Sequence, residues 1–257
     1  MAPNLPELVS RSSGQRVGRL VRWTLAAARQ ELALLALLAL LAASLWAFIA
    51  ISEEVVEGDT HAIDETILLS LRAPGDQSDP LGPGWVEEWA RDLTALGSVG
   101  VLTLITVASV IYLVLSRKHR TALFVATAIA SGTAISFALK AGFDRPRPDL
   151  VPHETIVYTT SFPSAHSMMS ALVYLTLGAL VARLQPRRRL KAYLLLLAIL
   201  VTVIVGMSRV YLGVHWPTDV LAGWVAGATW AMLSWAIAAW LQRLHKVESS
   251  AGDGREP

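Results

Sequence analysis

Residues 121–148 read TALFVATAIASGTAISFALKAGFDRPRP, and the abrupt change at Lys140 shows how the chain is solvated. From Thr121 to Leu139 there is no charged side chain. A bilayer hydrocarbon core of about 30 Å needs roughly 20 apolar residues in a helix, so this stretch is long enough to cross. Its small residues (Ala126, Ala128, Ala130, Ser131, Gly132, Ala134, Ser136) suit close helix packing in lipid. Lys140, Arg145 and Arg147 then follow within a few residues, where an apolar helix would emerge into water.

Five further stretches repeat the pattern. Leu32 to Ser52 and Leu93 to Ser116 are free of charge, Ser167 to Ala182 and Ala192 to Ser208 are shorter, and Val220 to Gln242 is again full length. The composition agrees, with 54% hydrophobic and only 16% charged residues among 257. A soluble domain carries about 25% charged residues. Leu32 to Ser52 is too long, and too far behind a basic tail, for a cleavable signal sequence, and reads as a signal anchor. The fold class is therefore all-α, a polytopic membrane protein with six transmembrane helices.

Lys and Arg orient the spans. The segment before the first span holds Arg11, Arg16, Arg19, Arg22 and Arg29, and Arg117, Lys118 and Arg120 follow the second. Arg183, Arg187, Arg188, Arg189 and Lys191 follow the fourth, and Arg243, Lys246 and Arg255 follow the sixth. These segments contain 16 of the 22 basic residues, which places both termini in the cytoplasm. Three regions result: a basic cytoplasmic tail over 1–31, a six-helix membrane domain over 32–242, and a cytoplasmic C-terminal tail over 243–257. The first outer loop, 53–92, is acidic and contains a Pro/Gly-rich stretch from Ala73 to Gly84. Trp85 and Trp89, one helical turn apart, predict a short interfacial helix there.

Only six basic residues fall outside the inner segments, and four of them sit at the outer ends of spans: Lys140, Arg145, Arg147 and Arg209. The positive-inside rule disfavours them there, so snorkelling alone is a weak explanation. The same outer loops hold His166 and His215, with Asp219 four residues beyond. A net charge of +2 is too small to suggest a nucleic-acid partner, and the absence of cysteine removes disulfides and thiolate metal sites. No paired-histidine metal spacing occurs, so neither a metal nor another cofactor is expected.

Three segments carry a more specific signal: Lys140-Ala-Gly-Phe-Asp-Arg-Pro-Arg147-Pro148, then Ser161-Phe-Pro163-Ser164-Ala165-His166, then Ser208-Arg209-Val-Tyr-Leu-Gly-Val-His215-Trp-Pro-Thr-Asp219. In order and spacing they resemble the tripartite signature of the phosphatidic acid phosphatase type 2 superfamily: Lys-x6-Arg-Pro, Pro-Ser-Gly-His and Ser-Arg-x5-His-x3-Asp. The single departure is Ala165, where the signature has glycine. It adds a methyl group and removes no donor. The resemblance covers roughly residues 93 to 241.

The resemblance implies a phosphatase with His215 as nucleophile, a phosphohistidine intermediate, His166 as general acid and base, and Asp219 as the carboxylate that orients His215. Lys140, Arg147 and Arg209, with Ser164 and the amides around Ala165 at a helix start, would form the phosphate cradle. Arg145 lies outside the matched positions and reads as a solvated neighbour or ion-pair partner of Asp144 or Asp149. Many membrane spans favour a lipid phosphate as substrate: undecaprenyl pyrophosphate, phosphatidylglycerol phosphate or phosphatidate. The expected location is a bacterial plasma membrane, with the site facing the periplasm or cell exterior and surrounding lipids as the other partners. Two alternatives remain at this stage: a lipid-linked phosphotransferase using the same histidine, and a non-catalytic transporter. The spans have no ionisable residue well inside them, which counts against a proton-coupled carrier. The sequence leaves the oligomeric state open.

Overall fold

The computed structural model describes residues 5–149 and 160–252. The chain divides into two units, residues 1–43 and 44–257. Eight helices appear among the described residues: α1 (Leu5–Glu57), α2 (His61–Ser70), α3 (Gly84–Ala95), α4 (Val99–Leu115), α5 (His119–Gly142), α6 (Ala165–Leu184), α7 (Arg188–Tyr211) and α8 (Pro217–Gly252). Among the described residues, five helices are long and apolar enough to cross a membrane, or six if the bent pair α3 and α4 forms one span.

That pair modifies the expected second span, Leu93 to Ser116. Gly97 and Ser98 interrupt it, and the two helices meet at 44°. Ser98 leaves the helical conformation (φ −70°, ψ 152°) and its hydroxyl accepts from Val101 N, so it caps α4 and ends continuity with α3. The acidic loop is more ordered than its composition suggests. It contains α2 and a short antiparallel pair, β1 (Arg72–Ala73) and β2 (Asp76–Pro80), which the all-α expectation did not include. Helix α3 does form where Trp85 and Trp89 lie, and both rings are exposed.

The core of the second unit is α6, packed against α7 and α8. Small residues allow the approach. A Cβ on Gly227 would stand 2.2 Å from the Met168 carbonyl oxygen, and one on Gly223 would stand 2.6 Å from the Ser164 carbonyl oxygen. These two glycines, four residues apart, let α8 lie directly on the α6 backbone. Helix α5 buries Ala122, Val125, Ala128, Ile129, Gly132 and Ser136, a single face at helical spacing, as the small-residue content of its sequence predicts. Apolar residues on outer faces stay exposed, as at Leu196, Ile199 and Leu200 of α7. In water that would be costly, but in lipid it is the expected surface.

The alternation of helices gathers the C-terminal ends of α5 and α7 with the N-terminal ends of α6 and α8. The basic segments 117–120 and 187–191 fall at the opposite ends of the same helices.

Candidate active site

Helix α7 ends in a turn that sets the position of His215. Gly213 adopts φ +72°, Gly213 N donates to Val210 O and Val214 N to Arg209 O. This is a Schellman arrangement, and glycine is the residue that enters the left-handed region at least cost. Two residues after His215, Pro217 opens α8, where its missing N–H costs nothing. Asp219 therefore lies in the first turn of α8 and reaches back: its Oδ2 accepts from Trp216 N at 3.0 Å, half of a capping box. The same oxygen lies 3.3 Å from His215 Nδ1.

On its other side, His215 Nε2 lies 3.1 Å from an Arg147 terminal nitrogen. Arginine has no acceptor, so Nε2 must present its lone pair, and the proton resides on Nδ1. Asp219 and Arg147 thus specify one tautomer from opposite sides of the ring. His215 is 2% exposed, and burial pushes its pKa down to about 3 despite the neighbouring carboxylate, so it is neutral at ordinary pH. Burial also lowers the pKa of the Arg147 guanidinium from its ordinary value, with the Asp219 charge opposing the shift.

The cations expected at the site converge. Lys140 Nζ donates to Thr160 O at 2.8 Å, and the Thr160 hydroxyl donates back to Lys140 O at 3.0 Å. Arg147 also donates to Val214 O at 2.7 Å. Arg209 is buried, donates to Thr94 Oγ1 at 3.1 Å, and has an Nε with no hydrogen-bond partner among the described residues. His166, in the first turn of α6, experiences the charges of Arg209, Arg147 and Lys140 as well as the presence of His215. Close packing sets its surroundings too, since a Cβ on Gly97 would lie 3.4 Å from the His166 ring and 2.4 Å from Val205.

Ser164 stands at the N-terminus of α6. It is fully buried, and its hydroxyl accepts from Ser167 N at 3.4 Å and from the Ser167 hydroxyl at 3.0 Å, which makes it the cap of α6. Its own N–H donates to Asp219 O at 3.0 Å, tying the start of α6 to the start of α8. Ala165 and His166 occupy the first helical turn, where backbone N–H groups lack intrahelical acceptors.

Arg145 is not solvated and does not pair with Asp144 or Asp149. Its side chain is 11% exposed and spans two fully buried carboxylates, Asp219 Oδ1 and Asp64 Oδ2, each at 2.6 Å. Burial decides the pairing, because those carboxylates have no water to compensate them. Sequence reasoning also missed Ser161, whose hydroxyl donates a very short bond to Asp219 Oδ2 and lies 3.4 Å from His215 Nδ1. It missed Thr94 and Asp64 as well. Ser161 stood inside a quoted motif and Arg145 beside one, but Asp64 had no local signal.

Comparisons with known proteins identify the family of the chain. The model of the PAP2 superfamily matches residues 121–243. The chain is 33% identical over 181 residues to phosphatidylglycerophosphatase B of Bacillus subtilis, covering 69% of this chain and 82% of that one. A shorter match, 38% over 74 residues, is to an undecaprenyl-diphosphatase of Sulfolobus acidocaldarius and covers 29% of this chain and 32% of that one. Among solved structures, a transmembrane PAP2-type phosphatidylglycerolphosphate phosphatase from Bacillus subtilis superposes with a TM-score of 0.64 at 28% identity, covering 79% of this chain and 96% of the other. The chain belongs to the PAP2 superfamily. Its class is that of a membrane phosphatase, a hydrolase of phosphoric ester or diphosphate bonds.

Proposed function

We propose that the protein removes phosphate from a membrane lipid through a phosphohistidine on His215, at a site on the outer face of a bacterial plasma membrane, without a metal or other cofactor. The observation that carries this reading is the placement of His215 between Asp219 at Nδ1 and Arg147 at Nε2. That arrangement produces a neutral imidazole whose lone pair faces the gathered cations.

Peripheral phosphoryl oxygens would be held by Arg147, Arg209 and Lys140, helped by the amides of Ala165 and His166, which meets most of the charge that phosphoryl transfer must stabilise. As the Arg147 fork engages the phosphate, His215 Nε2 becomes free to attack phosphorus. The N–P bond forms as the P–O bond to the lipid breaks, and His166, having taken up a proton once the bound phosphate offsets the surrounding cations, donates it to the departing oxygen. Water then attacks the phosphohistidine, giving its proton to His166, and phosphate leaves with His215 restored. Ser164 supports the cradle by fixing the start of α6.

The donor set supports metal independence. The carboxylates nearest His215 are already engaged by Arg145, and a guanidinium between them opposes a cation. The two curated relatives suggest the first substrates to try, phosphatidylglycerol phosphate and undecaprenyl pyrophosphate, with phosphatidate as a third. The test is phosphate release from each lipid by detergent-purified protein in the presence of EDTA. Release from at least one of them supports the proposal. Irreversible loss of activity on metal depletion contradicts metal independence, and transfer to an acceptor without free phosphate contradicts hydrolysis.

A further inference from the structure

Asp64 lies on α2, in the acidic loop and outside the matched residues 121–243, yet its carboxylate is completely buried against the start of α8. Its Oδ1 accepts from Thr218 N at 2.9 Å. Its Oδ2 accepts from the Thr218 hydroxyl and from Arg145, both at 2.6 Å. The other Arg145 terminal nitrogen donates to Asp219 at 2.6 Å and to the Thr218 hydroxyl at 2.8 Å. Arg145 in turn stacks over the Trp216 ring at 5.6 Å, and that indole donates to Pro146 O at 3.1 Å.

Two consequences follow from this array. Thr218 N is one of the free donors at the start of α8, so Asp64 caps from outside the helix the very turn that carries Asp219. The charges also matter. A single guanidinium against Asp219 would cancel much of the field that the carboxylate exerts on His215. Asp64 on the far side of Arg145 restores one net negative charge to the three-residue array. That charge is needed when Nε2 bonds to phosphorus, because the ring then keeps its Nδ1 proton and becomes cationic.

We infer that Asp64 and Arg145 are positioning residues for the phosphoryl transfer, holding Asp219 aimed at His215 Nδ1 and keeping a net negative charge behind the imidazole. This rests on the phosphohistidine reading proposed above. It gives the acidic loop a function: the loop supplies the outermost member of an Asp64–Arg145–Asp219–His215 chain.

The test is steady-state kinetics of Asp64→Asn, Arg145→Gln and the double variant, each as monodisperse protein of measured thermal stability, with His215→Ala alongside. Asp64→Asn keeps the shape and an acceptor oxygen, so substrate contacts are untouched. The expected result is a fall in kcat of about 10- to 100-fold with KM within about twofold, the size that small misplacement of a reacting group produces. The double variant should lose no more than Arg145→Gln alone, because the two act as one unit. A merely structural role would lower stability and leave kcat per folded molecule unchanged. Should Asp64→Asn not fold, Thr218→Val removes the hydroxyl shared by Asp64 and Arg145 and must also lower kcat at constant KM. Wild-type kcat in the folded variants, or losses that multiply in the double variant, overturn the inference while an inactive His215→Ala leaves the phosphohistidine reading standing. An active His215→Ala removes both.

Discussion

His215 must be neutral to attack and must tolerate a positive ring once it has attacked, and its neighbours divide those demands. Burial and Arg147 keep the free imidazole unprotonated, while Asp219 waits at Nδ1. This has a cost that can be measured. With a folded pKa of about 3 against an ordinary 6.5, the unfolded chain binds a proton at His215 that the folded chain refuses between those values. Stability therefore rises with pH through that window, and its deficit reaches about 2 kcal/mol by pH 5. Thermal denaturation in detergent should show a smaller loss between pH 7 and pH 5 for His215→Asn than for the unaltered protein. Equal pH dependence would contradict the buried neutral imidazole. Lys140, Arg147 and Arg209 could be read from sequence because they are cations at the outer ends of spans. Asp64 could not, since eleven acids share its loop and only the fold buries this one in the Arg145 pair.

Among the helices, close approach rather than hydrophobicity distinguishes the elements that build the site. Helices α6 and α8 meet through Gly223 and Gly227, and their first turns are stitched by the Ser164–Asp219 backbone bond. Gly227→Ala places a methyl group against a backbone carbonyl and should cost about 1–3 kcal/mol, with a lower detergent melting temperature. Gly100→Ala is the contrast, for nothing lies within 4 Å of its added methyl group. There the better helix propensity of alanine should leave stability equal or raise it by up to about 1 kcal/mol. A melting temperature unaffected by Gly227→Ala would contradict the α6–α8 contact. Hydropathy in the sequence located the long helices well, because lipid demands unbroken apolar runs. It passed over the break at Gly97 and Ser98, where an uncharged capping serine interrupts the helix without changing the hydropathy.

For the whole molecule, the account requires the site and the two inner basic segments to lie on opposite sides of the membrane. The chain has no cysteine, so single substitutions report sidedness cleanly. Ser78→Cys, exposed beside the site's end of the bundle, should react with an impermeant maleimide in intact cells. Lys118→Cys should react only after permeabilisation, as the positive-inside rule requires. The reverse pattern would place the site on the cytoplasmic face. The central claim is that His215 carries the phosphoryl group. Its most direct measurement is phosphate release, with mass spectrometry of the trapped enzyme, for His215→Ala against the unaltered protein on phosphatidylglycerol phosphate and undecaprenyl pyrophosphate. The account predicts a phosphorylated peptide containing His215 in the unaltered protein only, and a fall in activity of at least about 1,000-fold in the variant, the scale of losing a nucleophile. Sustained phosphate release by folded His215→Ala would contradict it.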